Sequence, residues 1–421
     1  MPSVAPDRVN NRRRFIGYLT VTVLAILGGM GPYLAYAVLA TQSASSPEDA
    51  ARVTSWVFAA YLLGLSLATP YGPWAAQRLG AVRLSAISRL AEVIINIATA
   101  ILLAIQVPLI PMLLGVSLAS GLAAGIRQST TPLITEVYSG GNDLEVATAQ
   151  LRRASGVAYA IGALGAGLVL AQLGPEPVFI IAAVLGVPVV VFLLLRPPAT
   201  SVKVAITNQP WRSMLREIRT RPNLRWAVWL GVAGAILMSP MINMIVPVLN
   251  KMGHSESEKA GLLLMFFALG EIVTPNVVGR LGKGRHAFVA GVRVVQLTGA
   301  SFLIMAVGVR LPYGPDLAVF AIGAILFGAI FYSLASFLYE SSTYGAPAGE
   351  KSEILSAFLL AIGLAAPIGT LVWGHLLDSL ATEVFFIAIA VVVIFILPAL
   401  LLKPMRALEA DTSDDTKESN S

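Results

Sequence analysis

The sequence predicts an all-α membrane protein with twelve transmembrane helices arranged as two bundles of six. Of the 421 residues, 56% are hydrophobic and 12% are charged, whereas a typical soluble chain has about 25% charged residues. The third observation is a series of long apolar runs. A hydrocarbon layer of about 30 Å is crossed by about 20 helical residues, and the runs are long enough for that.

The twelve helices follow from these runs in chain order. The first run follows a basic stretch, but it is too long for a signal peptide and lacks a small-residue cleavage site before a soluble domain, so we predict a retained helix. The run Val93–Ile126 contains Pro108 and Pro111 and is divided there. The predicted helices span about 15–41, 53–77, 84–106, 109–135, 154–173, 177–195, 225–250, 259–280, 286–309, 316–340, 354–378 and 383–402.

Loop charges predict that both termini face the cytoplasm. Lys and Arg concentrate on the cytoplasmic side of a membrane. In this chain they cluster before helix one, after helix two, between helices six and seven and after helix eight, whereas most of the opposite loops are acidic or uncharged. We therefore predict a multi-pass protein of the cell (inner or plasma) membrane.

The longest connection divides the chain into two halves, and a short internal repeat supports the division. "RLGAVR" at Arg78–Arg83 is matched by "RLGKGR" at Arg280–Arg285. Repeats of this kind form two bundles that rock around a central site. The predicted parts are an N-terminal cytoplasmic segment (1–14), a first six-helix bundle (15–196), a basic linker (197–224), a second bundle (225–403) and a disordered acidic tail (404–421).

In this outline the chain resembles the major facilitator superfamily over residues 15–403. In that family the loop after helix two usually reads Gly-x-x-x-Asp-x-x-Gly-Arg-Arg or similar. Here "PWAAQRLGAVR" has Pro73 at the first glycine and Gln77 at the aspartate. The resemblance implies the major facilitator fold and a cytoplasmic gating motif formed by Gln77, Arg78, Gly80 and Arg83, with Arg280 and Arg285 in the second half.

Helix five carries "GALGAG", Gly162–Gly167, where exporters of the superfamily commonly have Gly-Pro-x-x-Gly-Gly. Ala163 stands at the proline position. The surrounding sequence looks most like the drug and siderophore exporter branch. Glycines permit close approach of membrane helices, so Gly162, Gly165 and Gly167 have either a packing role or a gating role.

Charged residues inside apolar runs are the candidates for coupling. An ionised carboxylate in the membrane costs about 3 kcal/mol on insertion scales, and Glu271 is the one charged residue between 260 and 279. We predict that Glu271 couples transport to protons; a hydrogen bond to Asn276 or to a carbonyl beside Pro275, or contact with a cationic substrate, are the alternatives. Glu92 is the second candidate, although its spacing from Arg89 favours a self-satisfied pair.

Two further groups complete the predicted site. Arg127, towards the cytoplasmic end of helix four, is predicted to anchor the gate or to hold an anionic group. Binding sites of repeat transporters form near Gly and Pro interruptions, and adaptable Met and aromatic side chains suit an apolar pocket, with plain packing as the alternative. The predicted substrate cavity comprises Tyr33, Tyr36, Met241, Asn243 and Tyr332.

The predicted function is secondary active transport: proton-coupled efflux of small amphipathic or hydrophobic compounds such as drugs, siderophores or metabolites. Uptake or facilitated diffusion is the alternative, and an intramembrane enzyme or a channel is more remote. The chain has no cysteine and three histidines far apart, so we expect no enzyme activity, metal or cofactor. The net charge of +6 is explained by basic loops beside an anionic leaflet, so we expect no binding to nucleic acid. The predicted partners are a small-molecule substrate, protons and the lipid bilayer, and the protein is predicted to be a monomer.

Overall fold

The computed structural model describes residues 5–46, 49–139, 144–196, 215–216, 218–273, 287–343 and 351–400. All regular elements in these ranges are helices. Several predicted features lie outside the described residues: most of the basic linker, the acidic tail, Pro275, Asn276, Arg280 and Arg285.

Seven helices precede the linker: α1 (Ala5–Gln42), α2 (Ala50–Ala68), α3 (Tyr71–Leu79), α4 (Ala81–Ala104), α5 (Leu109–Ser139), α6 (Leu144–Leu173) and α7 (Pro175–Leu195). The second predicted helix is divided in two. It breaks at Pro70, which has no amide hydrogen for a helical bond. Gly80 makes the turn from α3 to α4 with a φ of 83°, a backbone conformation that favours glycine.

The helices after the linker are α8 (Pro222–Leu237), α9 (Pro240–Asn243), α10 (Ile245–Lys251), α11 (Ser257–Val273), α12 (Ala287–Arg310), α13 (Pro315–Thr343), α14 (Lys351–Ser379) and α15 (Thr382–Val391), which continues into a π-helical turn (Val392–Ile396). The seventh predicted helix is also interrupted, at Met238 and Ser239, directly before Pro240. This break places two short helices, α9 and α10, where the sequence predicts the end of one long helix.

The helices confirm the predicted fold class. Ten of them in the described ranges are long and apolar enough to cross a membrane. An eleventh apolar stretch, Pro315–Phe331, is shorter, and α11 is described only as far as Val273. These account for the twelve predicted spans.

The chain forms two compact units. The first comprises Met1–Ser45, Trp56–Pro210 and Ser255–Met265, and the second comprises Ser46–Ser55, Trp211–His254 and Phe266–Ser421. The start of α2 therefore belongs to the second unit, and the first half of α11 belongs to the first unit.

Each unit contains a helix pair that crosses at two glycines in equivalent positions. In the first unit, a β-carbon added to Gly64 of α2 would collide with the carbonyl oxygen of Leu118 of α5, and one added to Gly121 would collide with that of Tyr61. In the second unit, Gly270 of α11 and Gly328 of α13 make the same contacts with the carbonyl oxygens of Ile325 and Phe267. Subtracting residue numbers gives an offset of 206 from α2 to α11 and 207 from α5 to α13.

Other close contacts repeat with nearly the same offset. Gly162 packs on Leu27 as Gly369 packs on Ile236. The contact between Val93 and Gly186 recurs as the contact between Gly299 and Ile394, with the glycine on the other helix of the pair. The α4 and α12 helices, at 81–104 and 287–310, are also 206 residues apart at both ends. The two units are therefore built on one repeated plan, whose register assigns each residue of the first a counterpart in the second.

We expect Gly121→Ala to lower the free energy of unfolding by about 1–3 kcal/mol, because its methyl group has to displace the backbone of α2. Gly115→Ala on the same helix is the matched control, since nothing lies within 4 Å of the position of its added β-carbon. The measurement is thermal and denaturant unfolding in detergent micelles. Equal stability of the two variants would contradict the glycine crossing.

Candidate functional site

Three charged side chains from two helices meet inside the first unit. Arg127 of α5 donates from Nε to Glu92 Oε1 at 2.7 Å, and Arg89 of α4 donates from Nη1 to Glu92 Oε2 at 3.2 Å. We call Arg89, Glu92 and Arg127 the charged triad. Each oxygen of the Glu92 carboxylate thus has its own guanidinium partner, so the predicted Arg89–Glu92 pair is present but is not self-contained.

The triad lies on the side of α4 opposite its exposed apolar stripe. That stripe consists of Ile87, Leu90, Ile94, Ile97 and Ile101. At 100° per residue, Arg89 and Glu92 lie on the opposite side of the helix. The side chains of Glu92 and Arg127 remain 21% and 27% exposed, and for Glu92 this exposure is not on the apolar stripe.

Tyrosines from three helices surround the triad region. Tyr61 of α2 and Tyr159 of α6 interact electrostatically with Arg127. The hydroxyl of Tyr36 on α1 lies 3.2 Å from Ser120 Oγ, two helical turns before Arg127 on α5. Tyr33, whose ring centre is 4.9 Å from that of Phe58, is in the same unit. Two predicted cavity residues, Tyr33 and Tyr36, thus share the first unit with the triad.

The remaining predicted cavity residues lie in the second unit. Met241 and Asn243 on the short helix α9 are buried, and Asn243 donates from Nδ2 to Thr370 Oγ1 of α14 at 3.4 Å. Tyr332 belongs to α13, and its side chain lies outside the described part of the chain. The burial of Met241 and Asn243 is compatible with the packing alternative.

Glu271 is half-buried on α11, directly after the crossing glycine Gly270. In the register of the repeat, its counterpart in the first unit is Leu65, whose carbonyl oxygen packs against Gly125 of α5. The acid therefore sits beside a close helix crossing and has an apolar counterpart in the other half.

The triad also lacks charged counterparts. Offsets of 206 for α4 and 207 for α5 pair its members with three buried residues that carry no charge: Val295, Thr298 and Leu334. The two halves thus share a backbone plan but differ in where they place ionisable groups.

The predicted gating motif forms a surface at the α3–α4 turn. The Arg78 guanidinium lies 4.1 Å from the ring centre of Trp74, and Arg83 is exposed while Gln77 is half-buried.

At the end of α5, Tyr138 stacks on Tyr18 with ring centres 5.1 Å apart and donates to the carbonyl oxygen of Arg196. Burial, assisted by Tyr18, raises the pKa of Tyr138 to about 12, so its hydroxyl remains a donor at neutral pH.

The three glycines of helix five differ in their surroundings. Gly162 approaches the backbone of Leu27, and Gly167 approaches the backbone of Ser257 and Gly261, within the first unit. Nothing lies within 4 Å of a β-carbon added to Gly165. Packing therefore accounts for Gly162 and Gly167, and a gating role stays a prediction.

Sequence reasoning missed an ion pair in the second unit. Arg52 Nη1 lies 3.5 Å from Asp378 Oδ2, and Arg52 also pairs with Asp49. Arg52 Nε and Asp378 Oδ1 are buried without a hydrogen-bond partner within the described ranges. The sequence does not predict contact between two residues so far apart. It shows only that each of them lies at the end of an apolar run.

A second ion pair that the sequence analysis missed joins the α10–α11 loop to the first turn of α13. His254 Nε2 lies 2.7 Å from Asp316 Oδ2, both residues are buried, and the Tyr313 ring covers the histidine. Asp316 Oδ1 accepts hydrogen bonds from the backbone of Gly314 and Leu317, so the pair ties the start of α13 to the α10–α11 loop. Among the described residues, no group of three His, Cys, Asp or Glu could hold a metal.

Comparisons with known proteins place this geometry in a family. The family model of the Major Facilitator Superfamily matches residues 15–348. A search of curated proteins gives no match. Solved structures of other transporters share the fold at low identity.

A bacterial homologue of the iron transporter ferroportin, in an inward-facing state, is 17% identical with a TM-score of 0.65 and covers 93% of this chain and 98% of its own. A POT family transporter in complex with a thioalcohol-conjugated peptide is 15% identical with a TM-score of 0.68, covering 91% and 95%. The nucleoside transporter NupG is 14% identical with a TM-score of 0.66, covering 92% and 98%.

We expect Glu92→Gln to destabilise the protein more than Arg127→Gln. Removing the carboxylate leaves two cations facing each other without a counter-charge, and breaking a buried pair costs about 3–5 kcal/mol, with the lower end expected because Glu92 and Arg127 are partly exposed. Arg127→Gln leaves Glu92 paired with Arg89. Unfolding in micelles measures both, with Glu176→Gln in the first turn of α7 as the control; a smaller loss for Glu92→Gln would contradict the bridging role.

Proposed function

The chain belongs to the major facilitator superfamily, and on this premise we propose that it exports small amphipathic or hydrophobic compounds in exchange for protons. Drugs, siderophores and metabolites are the candidate substrate classes. The protein is a multi-pass membrane transporter, and in our proposal it is a monomer of the cell membrane with both termini in the cytoplasm.

The observation that carries proton coupling is the position of Glu271, compared with that of the second candidate acid, Glu92. Glu92 is bound by two guanidinium groups, which gives its charge a structural use. Glu271 stands beside the Gly270 crossing and has the apolar counterpart Leu65. An ionised carboxylate is costly in an apolar layer, so an acid that is hydrated in one conformation and enclosed in another takes up and releases a proton.

The export direction is supported by the helix-five glycines. Gly162 and Gly167 allow the close helix approaches expected of the exporter pattern. Ala163 at the proline position departs from that pattern and keeps uptake or facilitated diffusion as the alternative. In the proposed mechanism, Gln77, Arg78, Gly80 and Arg83 control the cytoplasmic opening; Arg280 and Arg285 act in the second half.

We expect Glu271→Gln to abolish the response of transport to a pH gradient while downhill exchange continues, because glutamine cannot exchange a proton. The measurement is efflux and uptake of a panel of dyes and drugs in proteoliposomes under imposed gradients of either sign. Glu258→Gln is the matched control, since Glu258 is exposed in the first turn of the same helix.

Three further results would revise the proposal. A pH response that survives in Glu271→Gln and disappears in Glu92→Gln would move coupling to the first unit. Accumulation driven by protons entering together with the compound would establish uptake in place of export. A flux far above carrier rates would indicate a channel.

A further inference from the structure

The charged triad has an excess of positive charge: two guanidinium groups face one carboxylate. We propose that Arg127 binds an anionic group of the transported compound, a carboxylate, phosphate or sulfonate attached to an apolar body. This inference rests on the proposed function, whose substrate it narrows to amphipathic acids.

Arg127 uses only part of its hydrogen-bonding capacity. Its Nε donates to Glu92, and its two Nη groups make no hydrogen bond within the described part of the chain. A guanidinium offers five donors in a planar fork that matches the oxygens of a carboxylate or phosphate. The Nη edge of Arg127 therefore remains available for an anion.

Arg127 is the more exposed of the two arginines in the triad. The side chain of Arg127 is 27% exposed, whereas that of Arg89 is 10% exposed. Arg89 supplies its charge from inside the bundle and holds the second oxygen of Glu92. An incoming anion meets Arg127 first and has the field of both cations.

The repeated helix arrangement can be built without these charges. The equivalent positions of the second unit are Val295, Thr298 and Leu334, all buried, so the same helix arrangement is built there without an ion pair. Charges inside a membrane are costly and usually mark a functional site. Packing alone does not explain the triad.

Two tyrosines near Arg127 suit the apolar body of such a ligand. Tyr61 and Tyr159 lie within electrostatic range of Arg127, and both are partly exposed. Rings with a polar tip fit a compound whose anionic end is followed by an apolar body. An anionic lipid headgroup has the same chemistry as a free amphipathic acid, so the experiment has to separate these sources.

The test is binding to the full-length protein in nanodiscs of phosphatidylcholine, using 4-phenylbutyrate and phenyl phosphate, with neutral 4-phenylbutanamide as the matched comparison. Titration calorimetry and thermal stabilisation are the readouts. We expect the acids to bind and the amide to bind at least about tenfold more weakly, as for the loss of one charge-assisted contact.

Two substitutions should move acid binding in opposite directions. Arg127→Gln should weaken it about tenfold or more, because the fork is lost. Glu92→Gln should tighten it, because the competing carboxylate is gone and the local charge rises. Arg127→Lys should retain part of the affinity, and Arg153→Gln, an exposed position on α6, should leave it unchanged; a merely structural triad predicts no such opposition.

Three outcomes would overturn the inference: acids and amide binding alike, no binding of either acid to the parent protein, or equal acid binding in Arg127→Gln. Nanodiscs containing phosphatidylglycerol form the second arm. Arg127-dependent stabilisation by this lipid, without binding of the soluble acids, would overturn the substrate assignment and identify a lipid site.

Transport by the same preparations in proteoliposomes separates this inference from the proposed function. Acid binding through Arg127 without movement of any compound would refute the transport proposal and leave the anion site standing. Gradient-driven movement of neutral compounds, with no acid binding, would do the reverse.

Discussion

The structure depends on the close approach of helix backbones at glycines. In a membrane, burial of apolar surface does not drive one helix onto another, because lipid tails are as apolar as leucine. What holds helices together is direct contact, and equivalent close contacts lie at Gly64 and Gly121 in the first unit and at Gly270 and Gly328 in the second. Each fixes the register of two helices to within one residue.

This fixed register separates what the fold requires from what the function requires. Positions related by 206 or 207 residues have the same backbone surroundings, so a charge present in only one half is not demanded by packing. By that criterion the charged triad and Glu271 are additions to the repeated plan. The first unit carries a fixed excess of positive charge, and the second carries an acid on the helix that makes its central crossing.

The sequence predicted the membrane class and the twelve spans because both depend on local apolar length. It also predicted contact between Arg89 and Glu92, which follows from helical spacing alone. It did not predict that Arg127 would share Glu92, nor the Arg52–Asp378 pair, since both depend on how separate helices align. The helix breaks at Pro70 and Pro240 were missed, although proline was visible, because the apolar pattern continues through them.

The two charged groups together constrain the transport cycle. An anion on Arg127 would cancel the excess charge of the triad, and a proton on Glu271 would remove the charge of its carboxylate, so each ligand removes one charge from the apolar layer. Exchange requires instead that the two ligands bind in turn, which leaves either the triad or Glu271 charged at each step. Ligands that stabilise the same state raise each other's affinity, and ligands that stabilise opposite states lower it. Export by exchange therefore requires a conformational cost for double occupancy that outweighs this electrostatic gain, and the uptake alternative requires no such cost.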